Sequence, residues 1–214
     1  MPYTPPDDQA TDEDAPEDAH RRYEQRRQEL QVRLTAQRIL SVHLRPEAAA
    51  VFWADIDLNL TEARLYQFDL TDCQIRRAQI DRATFDDNAY FNNATFASDA
   101  LFEGAEFAGQ AVFYGAEFVG DAIFYKAKFV GDAGFYWAMF VGHVIFEGAD
   151  FTGDTQFNEA RVTPGSHRVV LPAGWTTRAA QLAKGEEEGW LYVVRDEESN
   201  KQPTEANDGS SDLV

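Results

Sequence analysis

A large apolar residue returns every five or six positions from Leu60 to Val162, and this spacing excludes most folds at once. From Phe102 to Gln156 the chain reads FEGAEFAGQAV, FYGAEFVGDAI, FYKAKFVGDAG, FYWAMFVGHVI and FEGADFTGDTQ. The period is eleven, split into a five-residue and a six-residue step, each opened by an aromatic. Upstream the steps are all five long, through Leu60, Leu65, Leu70, Ile75, Ile80 and Phe85. Two positions before each large residue stands a mostly small one, such as Ala78, Ala89, Ala105, Ala122 or Ala138. The small residue keeps that place in both step lengths, so the sixth residue belongs in a turn and not in the core. The repeat also explains why the chain holds 16 Phe but only 2 Met.

Residues two apart in an extended segment point to the same side. Each step therefore turns one small and one large side chain inward and then bends. Five residues are too few for a strand and a hairpin, but they suit one flat side of a coil. Glycine two places after the Phe, at Gly104, Gly109, Gly115, Gly120 and Gly131, is expected to permit the corner backbone.

The tandem A-x-F-x-G and A-x-L-x-x units resemble the pentapeptide-repeat proteins, over roughly Ala54 to Val162. The resemblance implies an all-β solenoid, a right-handed quadrilateral β-helix with four sides per coil. Twenty sides then give about five coils, each rising about 4.8 Å, the spacing of paired strands. Alternating steps of five and six depart from the simple pattern and make 22 residues per coil, so one corner type is expected to bulge. The flanks RRQELQVRLTAQRIL, FWADIDLNL and LPAGWTTR…EGWLYVV are similar to those of a Phe-rich bacterial subgroup with a membrane-anchored N-terminal part. That likeness leaves open a short member or the C-terminal portion of a longer product.

Outside the repeat the chain divides by composition. Residues 1–19 are Pro-rich and acidic, and 196–214 are polar; neither buries enough apolar surface to offset ordering, so both are expected to be disordered. Residues 20–51 are read as an α-helical cap, with Leu30, Leu34, Ile39 and Leu40 near helical spacing and a stop at Pro46. Residues 52–162 are the β-helix. Residues 163–195 are read as a β cap, in which His167–Leu171 and Trp190–Val194 could form a hairpin. Caps are expected because an open solenoid exposes strand edges at both ends.

Little suggests catalysis, and the chain is read as non-enzymatic and without a cofactor. His20, His43, His143 and His167 are scattered, and His143 takes the corner place that Asp121 and Asp132 hold in sister repeats. The lone Cys73 sits at a small inward position, where a buried, inert thiol is expected. The chain contains neither a phosphate loop nor a dinucleotide fingerprint. Gly-Asp pairs recur at Gly120-Asp121, Gly131-Asp132 and Gly153-Asp154, but without the glycine-rich pattern of calcium-binding β-rolls. Each Asp is expected to hydrogen-bond its own turn.

The net charge of −18 argues against direct nucleic-acid binding and against an anionic membrane surface. No apolar stretch of about 18 residues is present. A cytoplasmic location is the expectation. Function is then sought on the outer faces. Tyr114 and Tyr136, and Val119 and Val141, lie 22 apart and fall on common columns, with Trp137 and Met139 on the corner between those columns. An exposed apolar patch of this kind marks a contact site for a protein partner or a second copy. The expected function is a rigid protein-interaction scaffold whose partner is unknown. The alternative is an acidic DNA mimic: residues 52–162 carry 18 Asp plus Glu against 7 Lys plus Arg, and some pentapeptide-repeat proteins are DNA mimics that bind DNA gyrase.

Overall fold

The computed structural model describes residues 17–165, 167–179 and 189–196. The segments expected to be disordered lie largely outside these residues. Residues 17–19 do not: the helix α1 runs Glu17–Leu44, three residues earlier than the composition suggested.

The repeat forms a quadrilateral β-helix of about five coils. Strands of two or three residues stack in parallel on four faces. The first face holds Asp57–Asn59, Arg77–Gln79, Ala100–Leu101, Ala122–Ile123, Val144–Ile145 and Val169–Val170. The second runs from Arg64–Leu65 through Thr84–Phe85, Glu106–Phe107 and Lys128–Phe129 to Asp150–Phe151. The third runs from Phe68–Asp69 through Ala89–Tyr90, Ala111–Val112 and Ala133–Gly134 to Thr155–Gln156. The fourth comprises Gln74–Ile75, Thr95–Phe96, Glu117–Phe118, Met139–Phe140 and Arg161–Val162. Register follows step length: Arg64 pairs with Thr84 in the all-five coil, whereas Thr84 pairs with Glu106, 22 residues on.

The core is an aromatic stack. Phe85, Phe107, Phe129 and Phe151 lie face to face at 4.6–4.8 Å, one coil apart. Phe91, Phe113, Phe135 and Phe157 do the same. Adjacent columns meet edge to face, as at Phe102 and Phe113 (5.7 Å, 89°). Both are favoured geometries for ring quadrupoles. Each fully buried Phe contributes about 1.5–3 kcal/mol before chain entropy is counted. The inward set is the one the repeat implies, and burial thins only at the ends, at Leu60, Ala63, Ala149 and Phe151.

The corners divide into two types. Five-residue corners contain a left-handed residue: Arg82, Gly104, Lys126 and Gly148 on one edge, Asn93, Gly115, Trp137 and Glu159 on another. Six-residue corners do not. At Gly131 a Cβ would lie 2.5 Å from the carbonyl carbon of Gly109, and Gly120, Gly142 and Gly153 meet backbone as closely. The sequence assigned conformational freedom to all five corner glycines. The structure reserves that reason for Gly104 and Gly115; Gly109, Gly120 and Gly131 serve close approach between coils.

The ends are closed differently. Across the first coil α1 lays a polar stripe. Gln37 donates from Nε2 to Tyr66 O (2.8 Å) and accepts from Tyr66 N at Oε1 (3.2 Å), as a neighbouring strand would. Arg33 donates to Arg64 O, Ser41 to Asp69 O and Arg45 to Thr71 O. The expected apolar face is thus corrected. Gln37, Ser41 and Leu44 are the buried residues, while Ile39 is exposed and Leu30, Leu34 and Leu40 are half-buried. A strand edge presents amides and carbonyls, so what covers it must carry hydrogen-bonding groups. At the other end the runs His167–Leu171 and Trp190–Val194 do not pair with each other. Val169–Val170 extends the first face in parallel, and Leu191–Arg195 pairs antiparallel with both Arg161–Val162 and Trp175–Ala179. Trp175 closes the Phe157 column at 5.2 Å.

Candidate functional site

The candidate residues meet on one edge, where the third face turns into the fourth. The turn after Phe113 places Tyr114 there, and the turn after Phe135 places Tyr136 and Trp137. Outward positions on the fourth face supply Met139, paired with Glu117, together with Val119 and Val141. Tyr114, Val119, Tyr136 and Trp137 are exposed, and Met139 and Val141 are half-buried. Above and below on the same columns stand Asn92, Asn93, Thr95, Asn158, Glu159 and Arg161, a polar rim. An apolar patch, interrupted by Glu117 beside Met139 and set within a polar rim, resembles a protein contact surface.

The columns do not act as one stack. Among the described residues no ring contact joins Tyr114 to Tyr136; the Tyr136 ring lies near Gly134, where a Cβ would be 3.5 Å away. Arg161 reaches Met139 Sδ at 3.4 Å and lies over the Trp190 ring. Thr163 donates to Val141 O at 2.6 Å. Met139 and Val141 are therefore partly held from the coil above.

Trp137 is the unusual member. Its φ is 60°, in the left-handed region, at a corner place held by Asn93, Gly115 and Glu159 in the other coils. That conformation costs an L-residue roughly 1–2 kcal/mol. The indole is 51% exposed, and no ring or hydrogen-bond contact of its side chain exists among the described residues. The sequence placed Trp137 in the patch; its left-handed backbone, shared with Asn93, Gly115 and Glu159 on that edge, was not foreseen. The sequence reading missed Val130, exposed on the second face, and Trp53, stacked on His43 at 4.1 Å.

Part of the charge pairs between coils. Across coils, Arg64 pairs with Asp86 (2.5 Å), Arg82 with Glu62 (2.9 Å), Arg77 with Asp99 (3.5 Å) and Arg76 with Asp57. Lys128 pairs with Glu106 at 2.6 Å, a contact that holds its ammonium above the ordinary lysine range. Asp121 and Asp132 do not cap their own turns as expected. Asp99, Asp121 and Asp132 accept from the amides of Asp121, His143 and Asp154, one coil on. Burial, reinforced by Asp69 and Asp72 against a lowering by Arg45, pushes the Cys73 thiol up to about 12. Among the described residues no cluster of three or more His, Cys, Asp or Glu could hold a metal ion, and no helix is long and apolar enough to cross a membrane.

Residues 80–128 and 113–161 match the family model for pentapeptide repeats. No curated protein and no solved structure matches the chain. Stacked four-sided coils, an inward aromatic every five or six residues and this match together define a structural repeat scaffold for protein interactions. Residues 80–161 of this β-helix are pentapeptide repeats of that family.

Proposed function

We propose that the chain is a non-enzymatic scaffold that docks one protein partner on the edge formed by Tyr114, Tyr136, Trp137 and Met139, with Val119 and Val141 beside them. The observation that carries this reading is Trp137: a large aromatic half in solvent, on a left-handed backbone that polar residues or glycine, Asn93, Gly115 and Glu159, occupy in the other coils. Among the described residues no ring or hydrogen-bond contact of the indole offsets that conformational cost. In a complex, burial of an indole supplies an anchor of the kind that dominates interface energies. The rigid stack beneath keeps the patch preorganised, so little entropy is lost on docking.

The test is affinity capture from host lysate with wild type and with Tyr114→Ala/Trp137→Gly, at about 0.15 M and about 1 M salt, where the screening length falls from about 8 to about 3 Å. Glycine suits the corner, so loss of binding by this variant cannot be laid to misfolding. A partner that persists at high salt and is lost with the variant supports the reading. A gyrase subunit or another DNA-binding protein, held only at low salt and indifferent to the variant, supports the acidic-mimic alternative and sinks the patch. A second copy held by the same residues makes the patch a self-association surface.

A further inference from the structure

At three of the four corners a side-chain oxygen accepts from an amide one coil on, and at one of them these bonds run as a ladder that ends on a histidine. Asp99 Oδ1 accepts from the Asp121 amide (3.4 Å), and Asp121 Oδ1 accepts from the His143 amide (3.0 Å). The next rung is His143 itself, whose Nδ1 accepts from the Arg168 amide at 2.6 Å. That bond holds the chain just before Val169–Val170, the strand that closes the first face. Val144 N donates to Arg168 O (2.9 Å) and Phe146 N to Val170 O (2.8 Å). The last rung thus anchors the last strand.

The two kinds of rung differ in chemistry. A carboxylate remains an acceptor down to about pH 4. An imidazole nitrogen accepts only without its proton, and histidine changes charge between about pH 5 and 8. A protonated Nδ1 would face the Arg168 N–H as donor against donor. The charged groups around the ring are Asp121 from the coil below, Glu147 on its own coil, and His167 and Arg168 from the closing segment. His167 lies 5.6 Å away, ring to ring, and Arg168 is ion-paired with Glu147 at 2.5 Å. His167 and Arg168 thus stand on the very segment that must stay docked, opposed by the Glu147 and Asp121 carboxylates.

We propose that His143 is an acid-sensitive latch. In its neutral form it holds Arg168 and keeps Val169–Val170 on the first face. Protonation releases that strand and bares the Val144–Ile145 edge, whose unpaired backbone can accept another strand. Each Asp rung below stays closed, so opening is confined to the last strand.

Amide exchange, expressed as protection factors, tests this at about pH 8 and about pH 5. In the wild type, Val144 and Phe146 should lose protection on the order of tenfold at the acid end, the equivalent of one hydrogen bond. Ala111 and Phe113, in the middle of the stack, should not change. His143→Asp restores the rung of the lower coils and should abolish the acid loss; His143→Asn, an acceptor at either pH, should do the same. His167→Gln should keep it. Unchanged wild-type protection would overturn the proposal. So would an acid loss that survives His143→Asp and His143→Asn, or one that vanishes with His167→Gln.

Discussion

Three glycines should respond differently to alanine, because they are glycine for different reasons. At Gly131 an added Cβ would sit 2.5 Å from the carbonyl carbon and oxygen of Gly109 and 3.0 Å from the Gln110 amide. Ordinary carbon contacts are about 3.5–4.0 Å. Both obstacles are backbone, so the two coils must move apart by about 1 Å. Flanking bonds hold them together, Val130 N to Phe107 O at 2.9 Å and Ala111 N to Asp132 O at 2.9 Å. Stretching these two at about 1 kcal/mol each, with strain in the rings stacked beneath, gives a loss of about 2–4 kcal/mol. At Gly104 the space is open, with Arg82 Cγ at 3.5 Å, but φ is 63°, so alanine costs roughly 1 kcal/mol. At Gly134 the nearest atoms are Tyr136 ring carbons at 3.5 Å, an ordinary contact, and alanine should be near neutral. The assay is urea unfolding followed by far-UV circular dichroism, comparing midpoints at constant slope. Equal losses at all three positions, or a Gly131→Ala cost no larger than that of Gly104→Ala, would refute close approach as the reason for the six-residue corner glycines.

Further perturbations reach the core, the cap and the thiol. Phe124→Ala removes a ring stacked between Phe102 (4.8 Å) and Phe146 (4.7 Å) and should cost about 3–5 kcal/mol, against a clearly smaller loss for the half-buried Phe151→Ala; similar urea midpoints for the two would contradict a core that thins at its end. Gln37→Leu leaves Tyr66 N and O without a partner at the covered edge and should destabilise by about 1–3 kcal/mol, although it makes α1 more apolar; a stabilised variant would mean that α1 docks as an ordinary amphipathic helix. The Cys73 thiol is raised from 9.0 to about 12, so the unfolded chain ionises first as pH rises, and stability should fall between about pH 9 and 12. Chemical denaturation of wild type and Cys73→Ala across that range checks it: the gap between the two should change with pH, and a constant gap would show that the thiol is not desolvated.

How much of this was legible in advance depends on which contacts are periodic. The inward rows could be read directly, because strand alternation and a fixed step length leave one solution for Phe85 through Phe157. The patch columns Tyr114–Tyr136 and Val119–Val141 could be placed for the same reason, since residues 22 apart must share a column, and Trp137 and Met139 follow from lying between them. The cap was legible only as a helix. Its docking face was misjudged because apolar spacing was taken as the signal, whereas the surface it covers is a row of backbone amides and carbonyls and selects Gln37 and Ser41.

By itself, then, the sequence determined the solenoid, its coil length and the contents of its core, all set by local periodicity acting through burial. Tertiary structure decided what happens between coils and at the ends. It showed which corner glycines face backbone, that Asp99, Asp121 and Asp132 serve the turn of the next coil, that Trp137 sits on a strained backbone, and that His143 holds the closing strand. These contacts join residues about one coil apart in sequence yet adjacent in space. Their partners are chosen by the stacking of whole coils, which no local pattern encodes.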